Sequence, residues 1–203
     1  LKQRGVVALG LKFNSYINEI PQEILILCDT LSFPLFEIPN RISFSQLITP
    51  IMTTIVNNQA QMLGDIYELQ KALTATMLSG GGLQSIVQTL FDRFGNSIAI
   101  YNDFFSSFVL ACSDRRRESI TRRMEDLVHI GSSGRETDSL MSSREVDNVD
   151  GLICNKIIIP IYSDKKKYGS IYIWEDNREI TNVDLAVLEA STSLIALDMI
   201  KKI

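Results

Sequence analysis

Histidine and tryptophan occur once each in this chain of 203 residues, which also has only three cysteines and five prolines. The single histidine, His129, cannot alone supply a histidine-rich metal site or a Ser-His-Asp relay. Its place at the end of a charged helical pattern suits an ordinary helix-end side chain. Cys28, Cys112 and Cys154 are far apart, odd in number and outside any Cys-x-x-Cys spacing, so neither a disulfide framework nor a zinc site is expected. No catalytic group, metal or cofactor follows from this inventory, and a reducing cytoplasm is the expected setting. No apolar run approaches the ~20 residues needed to cross a bilayer, so no membrane partner is expected. Basic residues number 20 against 24 acidic ones. That balance argues against the chain gripping nucleic acid by itself, because phosphate neutralisation needs a basic face.

What is present is the composition of a folded globular chain, 45% apolar and 22% charged, able to bury roughly 70% of its unfolded surface. GVVALGLK at 5–12 reads as a buried strand. Pro21 and Glu23 then open a helix carrying Ile24, Leu25, Leu27, Cys28 and Leu31, and PLFEIP at 34–39 reads as a second strand. Strand, helix and strand within about forty residues is the rhythm of a parallel crossover. From Ser43 a long helix is predicted, with apolar residues at Leu47, Ile48, Ile51, Ile55, Met62, Ile66, Leu69, Leu73 and Met77. Its steps of three, four and seven resemble a heptad seam, interrupted at Asn57, Asn58 and Gln59. About 35 residues at ~1.5 Å each make a rod near 50 Å that needs a partner. Leu47, Ile51, Ile55, Met62, Ile66, Leu69 and Leu73 are therefore assigned to a homodimer helix.

SGGG at 79–82 breaks the pattern and marks a boundary. After it come a helix over 83–94, strands over 97–102 and 106–113, and a charged helix over 114–130 with Ile120, Met124, Leu127 and Val128 inward. Residues 131–149, rich in Ser, Gly, Asp and Arg, read as a mobile loop. IIIPIYSDKKKYGSIYIW follows as a hairpin, with Gly169 opening its second strand, and Thr181 with Asp184 starts a terminal helix. Arg115 to Arg117, Arg122, Arg123 and Lys165 to Lys167 read as a solvated helix face and hairpin tip. Of Tyr172 and Trp174, one is available to a pocket and the other to an interface.

The order after residue 80, with Gly169, Ile171 and Ile173 in a G-x-L-x-L-like strand and Ile180, Thr181, Asp184 and Leu188 at the terminal helix, resembles a GAF domain. VVALGLK at 6–12, IPQEILILCDTLSFPLFEIP at 20–39 and ISFSQLITPIM at 42–52 resemble the second half of the PucR amino-terminal domain. The expected class is α/β, α+β overall: residues 1–43 as the carboxy-terminal portion of a PucR-type domain, 44–79 as a linker and dimerisation helix, and 80–203 as a GAF-like antiparallel sheet flanked by helices. The resemblance implies a fragment of a longer regulator that reaches DNA only through a domain outside this chain. It also implies a small-molecule effector in a pocket lined by Tyr101, Phe108, Leu110, Cys154 and Ile158. Arg135 and Arg144 are candidates for clamping an anionic ligand. Two other readings compete, a purely structural assembly module and a cysteine-dependent reductase built on Cys112 and Cys154.

Overall fold

The crossover expected near the amino terminus is present in the computed structural model, which describes residues 1–12, 19–130, 141–164 and 166–201. The chain packs as two units, Leu1–Gln59 and Ala60–Ile203. In the first, β1 (Leu9–Leu11) and β2 (Leu35–Glu37) pair in parallel, Leu9 opposite Leu35, with α1 (Gln22–Thr30) between them in sequence. Among its described residues, Phe33 and Ile38 are the buried apolar side chains, and α1 buries none. The long helix α2 (Phe44–Leu78) starts on a reciprocal cap. The Ser43 hydroxyl accepts from the Gln46 amide at 3.3 Å and the Gln46 side chain accepts from the Ser43 amide at 2.8 Å, which satisfies two orphan donors. Pro50 lies inside the helix. Asn57, Asn58 and Gln59, which interrupt its apolar stripe, lie within the continuous helix, since all three are tolerated there.

The second unit begins within α2 and continues through α3 (Gly82–Phe94), β3 (Ser97–Asn102), β4 (Ser107–Ala111), α4 (Arg117–Ile130), β5 (Ser143–Val149), β6 (Leu152–Ser163), β7 (Lys166–Trp174) and α5 (Asn182–Ile200). The five strands form one antiparallel sheet in the order β4-β3-β7-β6-β5. The expected antiparallel sheet flanked by helices is thus present. One expectation fails: part of the stretch read as a loop, residues 143–149, is the strand β5. SREVDNV hides its strand character because β5 is an edge strand whose side chains are largely exposed, so no apolar alternation marks it. Residues 131–140 lie outside the described residues. β7 also starts at Lys166, with Gly169 inside it and not at its opening.

Alternation divides the sheet into two faces. Ile98, Ile100, Ile157, Ile159, Ile161, Ile171 and Ile173 point to one, where they pack on Leu69 and Leu73 of α2, on Ile86, Val87, Leu90 and Phe94 of α3, and on α5. Ala99, Tyr101, Leu110, Ile158, Tyr172 and Trp174 point to the other, beneath Ile120 and Met124 of α4.

The turn from β7 into α5 is fixed by polar side chains. Buried Asn96 accepts from the amides of Asn177 and Arg178 at 3.0 and 2.9 Å and donates to the Arg178 carbonyl at 2.8 Å. Asp176 accepts from the Ser97 amide and hydroxyl at 2.9 and 2.6 Å. Thr181 and Asp184 form a capping box, and Arg178 grips Asp184 with both terminal nitrogens at 2.8 and 3.1 Å. Burial raises the Asp184 carboxyl, but hydrogen bonds from Arg178 and Thr181 and the Arg178 charge outweigh it and hold the group below its ordinary value.

Gly169 sits in the central strand where a Cβ would come within 2.0 Å of the Tyr101 carbonyl oxygen. Backbone cannot yield as a flexible side chain would, so Gly169→Ala is expected to lower unfolding free energy by about 3 kcal/mol or more. Gly64, inside α2 with nothing within 4 Å of its added Cβ, is expected to gain about 0.5–1 kcal/mol on change to Ala. Urea unfolding of both variants checks the pair.

Candidate functional site

The face under α4 gathers the residues assigned to a pocket. Tyr101 comes from β3, Phe108 and Leu110 from β4, and Cys154 and Ile158 from β6, and all five pack in one cluster with Tyr172 and Trp174 of β7. Arg135 lies outside the described residues. Tyr172 and Trp174 are not divided between pocket and interface as expected. Two residues apart on a strand, they share a face, and their rings stack at 6.4 Å with planes 24° apart. Trp174 is only 1% exposed.

Charged groups on this face were not singled out from the sequence: Asp147 of β5, and the pair of Glu145 with Lys156 of β6 at 3.1 Å two residues along the ladder. Asp147 of β5 stands opposite Cys154 and accepts from the Trp174 indole N–H at 2.9 Å. It also pairs with Arg123 of α4, which donates in addition to the Asn148 carbonyl. Arg123 is therefore more than part of a solvated face. Ser119, one turn earlier on α4, bonds the Asp150 carboxylate. The other basic residues of α4 stay at the surface, Arg122 in an exposed pair with Glu118 and Arg117 with Asp114, pairs worth little to stability.

Arg144 is not free to clamp an anion. It donates to Glu175 at 3.0 Å and to the Ile180 carbonyl at 2.8 Å. Glu175 in turn accepts from the Ile180 amide at 2.8 Å and from Asn155 at 2.6 Å.

The two thiols of this region are poor nucleophiles. Burial pushes both Cys112 and Cys154 above the usual thiol value, and nearby carboxylates, Asp176 among them for each, add to it against opposing arginines. A thiol held protonated lacks the reactive thiolate. Among the described residues no group of His, Cys, Asp and Glu is arranged to hold a metal ion.

A surface cleft of ≈ 650 Å³ lies elsewhere, lined by Ser142, Ile159, Pro160, Tyr162, Glu189 and Thr192 among others. It brings together none of the aromatic side chains under α4.

On α2, expected to be a dimerisation helix, Leu69 and Leu73 are buried in the core of their own unit and Ile66 packs against it. They are thus spent within the chain. Ile51 and Ile55 are exposed, and Leu47 and Met62 are half-buried.

Residues 1–55 match the model of the purine catabolism regulatory protein-like family, PucR. The resemblance to PucR-type regulators holds. A curated relative, the purine catabolism regulatory protein of Bacillus subtilis (strain 168), is 30% identical over 92 residues, 45% of this chain. The matched stretch spans 17% of that protein's length. A solved GAF domain, from a protein of Pseudomonas syringae pv. tomato described as a sensor histidine kinase, covers 72% of this chain at 11% identity and a TM-score of 0.46, with 95% of its own length covered. That likeness is too loose to rest anything on, whereas the strand order stands by itself. Among the described residues no helix is long and apolar enough to cross a membrane. The PucR-type segment and the sheet unit thus occupy successive parts of one chain.

Proposed function

We propose that this chain is the sensing and assembly part of a PucR-like transcriptional regulator, in which a small molecule bound under α4 controls a DNA-binding domain outside the chain. The observation that carries the reading is the unequal sealing of the sheet. Among the described residues, one face is closed by α2, α3 and α5 together and the other by α4 alone. The aromatic groups Tyr101, Phe108, Tyr172 and Trp174 on the face under α4 suit a flat, mostly apolar ligand. Asp147 offers it one polar anchor.

The name of the Bacillus subtilis relative directs the first compounds to purine-breakdown intermediates, with amino acids and nucleotides beside them. A compound present at 100 times its Kd stabilises by ~2.7 kcal/mol, which raises Tm by roughly 5 °C or more for a chain of this size. Binding at the proposed face must also change the emission of Trp174, the single tryptophan. If no compound stabilises the chain, or if stabilisation leaves Trp174 unchanged, the ligand site is not here.

The homodimer is part of the same proposal, and the support for it is the exposed apolar run Ile48, Ile51, Met52, Ile55 and Val56 on α2. Contiguous exposed aliphatic side chains mark association surfaces. Sedimentation equilibrium is expected to give a dimer that Ile51→Glu converts to monomer. A monomeric unsubstituted chain contradicts it.

A further inference from the structure

We infer that β5 is the link that passes the position of α4 to the start of α5, with Arg123 and Arg144 as its two clamps and Arg144 as a positioning residue. The inference rests on the proposed sensing face for its purpose but not for its test.

Alternation along the strand supplies the geometry. Asp147 and Arg144 are three residues apart, so they leave β5 on opposite sides, about 10 Å apart along the strand. Asp147 turns to the face under α4, where Arg123 holds it and the Trp174 indole donates to it at 2.9 Å. Arg144 turns to the α5 side and ties β5 to Glu175 at 3.0 Å and to the Ile180 carbonyl at 2.8 Å. Ile180 immediately precedes Thr181, the N-cap of α5. Glu175 is 5% exposed as a side chain, and its oxygens also receive the Ile180 amide and Asn155. Arg144 therefore pulls on a buried, multiply bonded joint and not on a loose surface pair. One residue before β5, Ser142 donates to Glu189 of α5 at 2.8 Å.

The strand between these clamps is an edge strand of the sheet, as β4 is at the other end, and it is the edge that both clamps grip. Among the described residues β5 pairs with β6 alone, while β3, β6 and β7 are held on both sides. A ladder on one side resists sliding and tilting less than two. A molecule that lifts α4 draws Arg123 with it, Arg123 draws Asp147, and β5 carries the displacement through Arg144 to the residues that cap α5. The bistable element of the switch is thus an edge strand with a grip on each face.

Independent structural pins give a different result from a link, because sites without shared partners act independently. The test is hydrogen exchange by mass spectrometry on the full chain carrying Arg123→Ala, Arg144→Ala or both. Neither partner of Arg123 belongs to α5. Arg123→Ala is nevertheless expected to speed the amides of residues 182–188 by about fivefold, the scale of a modest local opening. In the Arg144→Ala background the same change is expected to add nothing there. Amides of β3 serve as the folding control. If Arg123→Ala loosens β3 too, Arg123→Lys, which keeps the charge and loses the fork, replaces it. Acceleration confined to α4 and β5, or effects of the two substitutions that multiply, overturns the link. A link found in a chain that binds none of the screened compounds leaves the coupling standing and removes only the ligand.

Discussion

The structure of the second unit depends on where β7 lies. It is the middle strand of five, paired with β3 on one side and β6 on the other. It approaches β3 so closely at Gly169 that no side chain fits against the Tyr101 carbonyl. That register sends Ile171 and Ile173 into one core and Tyr172 and Trp174 into the other. A slip of one residue would exchange the two sets. The same strand runs out into the turn that Asn96, Asp176 and Arg178 pin, so the start of α5 is set by β7 as well.

The two faces differ in how firmly they are closed. α5 buries Val187, Leu188, Ile195, Ala196 and Met199, and α3 buries Ile86, Val87, Leu90 and Phe94. α4 fully buries Ile120 and Met124, with Leu127 and Val128 partly covered. At about 1.5–3 kcal/mol for each large aliphatic side chain removed from water, the difference amounts to several kcal/mol. Local opening follows the least anchored element. For α4 the remaining hold is polar, through Arg123 to β5 and Ser119 to Asp150 in the turn after it, and a polar hold at a partly exposed site is the kind that a ligand or water can replace.

Much of this was legible from residue pattern. The Thr181 and Asp184 pair announced α5, Ser43 announced α2, and SIAIYN and SIYIW showed their strands because both faces of a central strand need apolar residues. Five pocket residues chosen by family likeness proved to share one face. The period of two then excludes a split between Tyr172 and Trp174, since residues two apart must agree. Other features left no local signal. SREVDNV is polar because an edge strand faces water, so β5 looked like the loop before it. Arg123 looked like a surface cation and Arg144 like an anion clamp because their partners, Asp147 and Glu175, lie 24 and 31 residues away. Leu69 and Leu73 carry a heptad spacing that serves an intrachain core as well as a coiled coil, and spacing alone cannot separate the two.

The central claim is that α4 is a movable cover over one face of the sheet, while α5 holds the other face fixed. The chain has six methionines, and two of them report on opposite faces, Met124 on the inner side of α4 and Met199 on α5 beside Gly169. Carbon-13 methyl relaxation dispersion reads motion on the microsecond to millisecond scale at each. The account requires exchange at Met124 and none at Met199. A Met124 methyl as quiet as that of Met199, or exchange of equal size at both, contradicts it.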